Sequence, residues 1–314
     1  MENQTNETQP DNAQTVGAEP AKKDLLFSAM ILIAASMLAG AWLHASWSKT
    51  SPQNSTANTV AALNDLESKV LPTDGFVLPV RLGDIGIKMV SVGVIDEEKI
   101  TSLYAERGGF KEEYANFLKN NGEENIKITP ENAGFLLNLF WALGLGNKNS
   151  ILDNGPMSDP KYGGAGNFAS TGGWTLATGN AMNHYSRHPF VMLTPEQQQL
   201  VEKISKNIYR PCCNNPVFFP DCNHGMAMLG LLELMASQGA SEETMYKVAL
   251  QVNAYWFPDT YLTIAQYLQS QNVAWQNADP QEILGANFSS ATGYGKIKAQ
   301  VAAPAKPSGG SCGA

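Results

Sequence analysis

Charge is scarce in this 314-residue chain: 16% of residues are Asp, Glu, Lys or Arg, and the acids outnumber the bases 29 to 21. The net charge of −8 comes with no basic stripe, so a nucleic-acid partner is not expected. No heptad or solenoid period is present, which excludes coiled coils and repeat arrays. Convincing alternation of apolar and polar residues is also missing, and the expected fold class is therefore all-α. The chain has only four Cys and four His. None of the Cys forms the CxxC pairs of a zinc finger, and there is no CxxCH for haem attachment and no HExxH for a metalloprotease. The Gly-rich stretch lacks the Gly-Lys-Ser/Thr of a P-loop.

Long apolar runs are confined to Leu25–Leu43 (LLFSAMILIAASMLAGAWL), 19 residues without a charge. A helix of this length spans roughly 28 Å, close to a bilayer's hydrocarbon thickness. Lys22 and Lys23 precede it, and Trp42 and Trp47 lie at its far edge, where amphipathic rings favour the headgroup level. A cleaved signal peptide is the rival reading, but its charged region would not follow a polar tail of this length. The expected organisation is a disordered polar tail (1–24), a single transmembrane helix (25–43), a linker (44–60), a helical domain (61–300) and a flexible Gly-rich tail (301–314). The lysine pair favours a cell-membrane protein with its large domain outside the cytoplasm. The membrane is the expected partner through residues 25–43; no protein partner can be read from the sequence.

Helix signals dominate beyond the linker. Residues 82–92 carry apolar residues at roughly helical spacing. Residues 95–109 (IDEEKITSLYAERGG) place acids early, Arg107 late and a Gly stop, as a helix dipole and a glycine cap require. Thr129-Pro130-Glu131 and Thr194-Pro195-Glu196 are paired helix starts, Ser241 caps another helix, and Pro258 opens a further one. Between the two Thr-Pro starts, residues 153–180 form a long Gly- and Asn-rich loop, expected to wrap on the core through Tyr162, Phe168 and Trp174.

The chemistry concentrates in RPCCNNPVFFPDCNHG, which holds Cys212, Cys213, Cys222 and His224. Pro216 and Pro220 stiffen the intervening turn, so Cys222 can be held against Cys212 or Cys213. Thiolate and imidazole suit Zn(II) or Cu(I). His184 and His188, four residues apart, could share a helix face and join the same metal site. Met226 and Met235 fall among leucines at helical spacing and read as core; Met228 lies one turn from His224. Glu233 is the odd polar residue on that apolar helix, a partner for His or Arg210 or simply solvent-facing. Outside the cytoplasm thiols tend to become disulfides, and Cys222 is a natural partner for either neighbour. Cys312, on the tail, could act as a mobile redox thiol. Three functions stay open: handling of a soft metal ion, thiol–disulfide exchange through Cys312, and a structural role with disulfide staples. Whether the chain is an enzyme is not decided at this level.

The stretches GFLLNLFWALGLGNKN, YGGAGNFASTGGW and YRPCCNNPVFFPDCNHGMAMLGLLELMASQG, with a Cys in a Gly-rich C-terminus, resemble an uncharacterised family of single-anchor microbial membrane proteins. The resemblance implies a tethered domain and supplies no activity.

Overall fold

The structure is a computed structural model that describes residues 52–301. The chain divides between Val60 and Ala61, and the side-chain contacts below all belong to the second unit. In chain order the elements are α1 (Pro52–Val70), β1 (Phe76–Gly83), α2 (Ile85–Ser91), α3 (Glu97–Glu106), α4 (Glu112–Lys119), β2 (Gly122–Ile128), α5 (Ala133–Gly146) and α6 (Ser150–Asn154). Then follow α7 (Ala169–Gly172), α8 (Pro195–Ser205), α9 (Asn223–Ser237), α10 (Glu242–Trp256), α11 (Pro258–Ser270), α12 (Pro280–Leu284), α13 (Ala286–Ser289) and α14 (Ala291–Lys298).

Helices prevail, but the all-α expectation needs correcting, because β1 and β2 form an antiparallel two-stranded sheet. In β1 the side chains of Leu78, Val80 and Leu82 are buried, while Val77, Pro79 and Arg81 face out. Pro79 has no N–H to donate, and the next outward residue, Arg81, is closed off by a side chain. The Arg81 N–H donates to Gln238 Oε1 (3.0 Å), and Gln238 Nε2 donates back to the Arg81 carbonyl (2.7 Å). One glutamine amide thus substitutes for a neighbouring strand along this edge.

The membrane expectation is also corrected. Among the described residues no helix is long and apolar enough to cross a membrane. The most apolar of them, α5, has 14 residues, about 21 Å. Single-pass attachment and extracytoplasmic placement therefore have no structural support. Residues 25–43, on which that reading rested, lie outside the described residues, as do residues 1–24 and Cys312.

The core is organised by α5 and α9. Every residue of α5 except Gly134 is buried, and so is every residue of α9 except Asn223 and Ser237. A helix apolar all round must be covered all round. The two meet backbone to backbone. A Cβ on Gly144 would lie 2.1 Å from the Met226 carbonyl oxygen, and one on Gly230 would lie 2.5 Å from that of Phe140. Met226, Met228 and Met235 are fully buried in this core. Further along, Asn147 Nδ2 donates to Glu233 Oε2 (2.8 Å), and Asn147 Oδ1 accepts from the Val191 N–H (2.8 Å). Glu233 is thus neither solvent-facing nor paired with Arg210. Burial pushes its carboxyl well above the ordinary glutamate range, against the opposing pull of the Asn147 and Asn149 amides.

The helix boundaries follow local chemistry. Asp96 accepts from the N–H groups of Glu98 and Lys99 at the start of α3. Thr194 and Gln197 form a reciprocal capping box on α8, and Ser241 accepts from the Thr244 N–H at α10. The Gly-rich stretch 153–180 is ordered as turns, short 3-10 segments and α7, pinned by buried Trp174, whose Nε1 donates to the Val94 carbonyl (2.9 Å).

Two outcomes follow. Gly144→Ala should lower stability by about 1–3 kcal/mol through overpacking. Gly134→Ala meets nothing within 4 Å and should be neutral or gain up to about 1 kcal/mol of helix propensity. Thermal unfolding of both variants measures this. For Glu233 the folded state holds the proton more tightly than the unfolded chain. Stability should therefore fall as pH rises from the ordinary glutamate range, and level off above the raised folded-state value. Glu233→Gln keeps an acceptor for Asn147 and removes this dependence. Its stability relative to wild type should rise with pH across that window, and parallel curves would contradict the burial argument.

Candidate metal centre

The segment between α8 and α9 folds back on itself. Tyr209 bridges Pro216, and the Val217 N–H donates to the Ile208 carbonyl (2.8 Å). Cys212 and Cys213 sit at the resulting tip. The tip is tied to the start of α14, where the Ala291 N–H donates to the Cys213 carbonyl and the Thr292 N–H to Asn214 Oδ1, both at 2.9 Å. The chain then returns through Asp221, and Cys222 becomes the N-cap of α9, its sulfur accepting from the Gly225 N–H (3.4 Å).

This return brings two of the sequence candidates together: Cys212 Sγ and Cys222 Sγ are 3.5 Å apart. His224 completes one trio with them, and Cys213 and Asp221 form a second trio around the same Cys222; within each trio the ligand atoms lie within 4.8 Å of one another. Two thiolates on one tetrahedral Zn(II), with Zn–S of about 2.3 Å, would be roughly 3.8 Å apart. The pair is therefore already near the bite that a metal requires. The three thiols among the described residues are free, so the expected disulfide is corrected: none is formed there.

His224 is buried, with its ring 4.3 Å from that of Phe257. Asn223 Oδ1 accepts from the His224 backbone N–H and lies 2.9 Å from His224 Nδ1. A carbonyl oxygen can only accept, so Nδ1 carries the proton and Nε2 keeps its lone pair. Burial depresses the imidazole pKa to about 4, so the ring is neutral at physiological pH, as a ligand must be.

The residue on which the cluster rests is Arg210. It is fully buried. Its Nη2 donates to Asp221 Oδ1 (2.7 Å) and to Cys222 Sγ (3.3 Å), and its Nη1 donates to the Asn215 carbonyl (2.8 Å). Asn215 Nδ2 in turn donates to Asp221 Oδ2 (2.7 Å). The guanidinium lies close against Gly225, where a Cβ would come within 2.6 Å of Nη2. Burial, the largest influence on Arg210, works against its charge. The surrounding Cys222, Cys213 and Asp221 outweigh that and hold it protonated. Cys222 responds in kind. Hydrogen bonds from Cys212 and Cys213, followed by the nearby Arg210 cation, set its thiol well below the ordinary range. Hydrogen bonding with Cys213 and then Cys222 raises the thiol of Cys212. The surroundings therefore favour the anionic form at Cys222 over its two neighbours, at a helix N-terminus and against a buried cation.

His184 and His188 do not join this cluster. They pair with each other outside any α-helix: His184 caps the 3-10 turn Ala181–Asn183, and Ser186 between the two has a φ of 50°. Arg210 as the buried counter-ion, Asp221 and Gly225 were not singled out as site residues from the sequence. The signal available was an Arg two residues before a Cys pair, with an Asp immediately before the returning Cys. The aromatic ring of Phe219, whose backbone lies beside Arg210, packs against Tyr162 (5.4 Å) and Phe168 (5.4 Å). The Ser170 N–H donates to the Asp221 carbonyl (3.2 Å), so the Gly-rich stretch braces the site from behind.

No family model, no curated protein and no solved structure matches this chain.

Exposure and reactivity should part company here. Cys212 is the most exposed of the three thiols, yet Cys222 is the one whose pKa is held down. Alkylation of the metal-free reduced protein at about pH 6.5, followed by peptide mapping, should label Cys222 first. Preferential labelling of Cys212 would contradict the charge distribution described above.

Proposed function

We propose that this protein binds and handles a soft metal ion, Zn(II) or Cu(I), through Cys212, Cys222 and His224, with Cys213 and Asp221 as neighbouring donors. The observation that carries the reading is the convergence of two thiol sulfurs 3.5 Å apart with a neutral, tautomerically fixed imidazole. Sulfur and imidazole together suit these ions and discriminate against Mg(II) and Ca(II). Arg210 and the Gly225 N–H supply the hydrogen bonds to sulfur that a thiolate ligand needs from its surroundings. The exposed position of Cys212 leaves one side of the ion open to exchange, as metal handling requires.

A second reading, nucleophilic chemistry at Cys222, is favoured by the same Arg210 contact, because a thiolate at a helix N-terminus beside a cation is also an activated nucleophile.

Cu(I) added to the reduced full-length protein should produce sulfur-to-metal charge-transfer absorption that saturates at one equivalent, together with a raised melting temperature. Cys222→Ser should abolish the absorption, and Met235→Leu, in the core, should leave it unchanged. Equal absorption in wild type and Cys222→Ser would reject the site. A wild type that is alkylated at Cys222 but takes up no metal would favour the nucleophilic reading.

A further inference from the structure

The pairing of His184 with His188 is a second constellation that the cysteine cluster does not use. His184 Nδ1 and His188 Nε2 face each other at 3.2 Å. The other nitrogen of His184, Nε2, lies 3.1 Å from the Thr178 carbonyl oxygen. That oxygen only accepts, so the His184 proton is on Nε2, and Nδ1 presents a bare lone pair toward His188. A backbone carbonyl taking the second ring N–H is the support that metal-ligating histidines generally have.

The spacing also fits. Two imidazole nitrogens on one tetrahedral Zn(II), at about 2.0–2.1 Å each, stand roughly 3.3 Å apart. The backbone that holds them is independently anchored. The His188 N–H donates to the Gly146 carbonyl (2.8 Å), and the His188 carbonyl accepts from the Lys148 N–H (2.8 Å). His184 is buried, with Gly93 close against its ring, while His188 is only partly buried. One ligand is thus fixed and the other reachable from solvent.

We infer that His184 and His188 form a separate two-imidazole site for a borderline divalent cation of the Zn(II) class. The ion enters between Nδ1 of His184 and Nε2 of His188; the proton on His188 Nε2 moves through solvent to Nδ1 of the same ring, so both imidazoles stay neutral and each offers one lone pair. Among the described residues no third His, Cys, Asp or Glu side chain joins the pair within the span of one ion. Water completes the shell, and the site is an exchangeable one. It does not depend on the cysteine centre.

The test uses full-length Cys222→Ser protein, in which the thiolate centre is disabled, with Zn(II) as the probe. Calorimetric titration should find one equivalent bound, and nitrogen NMR should show the His184 Nδ1 and His188 Nε2 resonances moving together. Adding His188→Ala to the Cys222→Ser background should remove that equivalent. The backbone bonds at residue 188 do not involve its side chain, so the fold should survive; a milder His188→Gln version, checked by circular dichroism, should lose the zinc as well. Absence of zinc binding by Cys222→Ser, or binding that His188→Ala and His188→Gln leave intact, would overturn the inference. Neither outcome bears on the thiolate centre, which the Cu(I) absorption reads separately.

Discussion

A guanidinium with no exposure to water must be surrounded by groups that compensate it, and Arg210 sets the local architecture through that demand. Asp221 supplies the carboxylate, Asn215 the carbonyl, and Cys222 a sulfur that is stabilised as the anion. Each of these groups lies on a different part of the folded-back segment 208–222, so satisfying one buried cation fixes the whole turn. Removing a partner from a buried pair of this kind typically costs about 3–5 kcal/mol. That makes the arrangement a strong constraint on geometry even where it adds little net stability. The same contact explains Gly225: any side chain there would collide with the guanidinium.

α9 links this centre to the rest of the molecule. Its first turn carries Cys222 as cap and His224 as buried donor, and its middle packs glycine to glycine on α5. Three-quarters of the way along, Glu233 receives Asn147, which in turn holds the Val191 N–H. The segment that bears His184 and His188 runs beside Asn147 through the isolated bridge at His188. The two donor constellations are therefore set by opposite parts of one helix pair. Both are built on the same backbone rigidity, which is what ligand geometry to within a fraction of an ångström requires.

Much of this was legible in the residues. The Thr194-Pro195, Ser241 and Pro258 helix starts are local signals that tertiary packing did not override. Met226 and Met235 read correctly as core, whereas Met228, set apart in the sequence as a neighbour of His224, is buried with them. The meeting of Cys222 with Cys212 followed from a short, proline-stiffened turn. Other features were hidden. Pro79 interrupts the alternation of β1 and argues against a strand; it is tolerable because β1, in a two-stranded sheet, has one edge with no partner strand. The four-residue spacing of His184 and His188 suggested a helix, yet they meet across a turn through Ser186. Arg210 looked like one more polar residue, because its role depends on carbonyls and an acid that only the folded segment brings around it. The apolar run at 25–43 carried the membrane reading, and nothing among the described residues supports it.

The proposed metal centre requires Cys212, Cys222 and His224 to act as one donor set. X-ray absorption at the zinc edge addresses it directly, using reduced His188→Ala protein loaded with one equivalent of Zn(II) so that only this centre is read. The expected result is a mixed shell, with sulfur at about 2.3 Å and nitrogen or oxygen at about 2.0–2.1 Å. A shell of nitrogen and oxygen alone would contradict it.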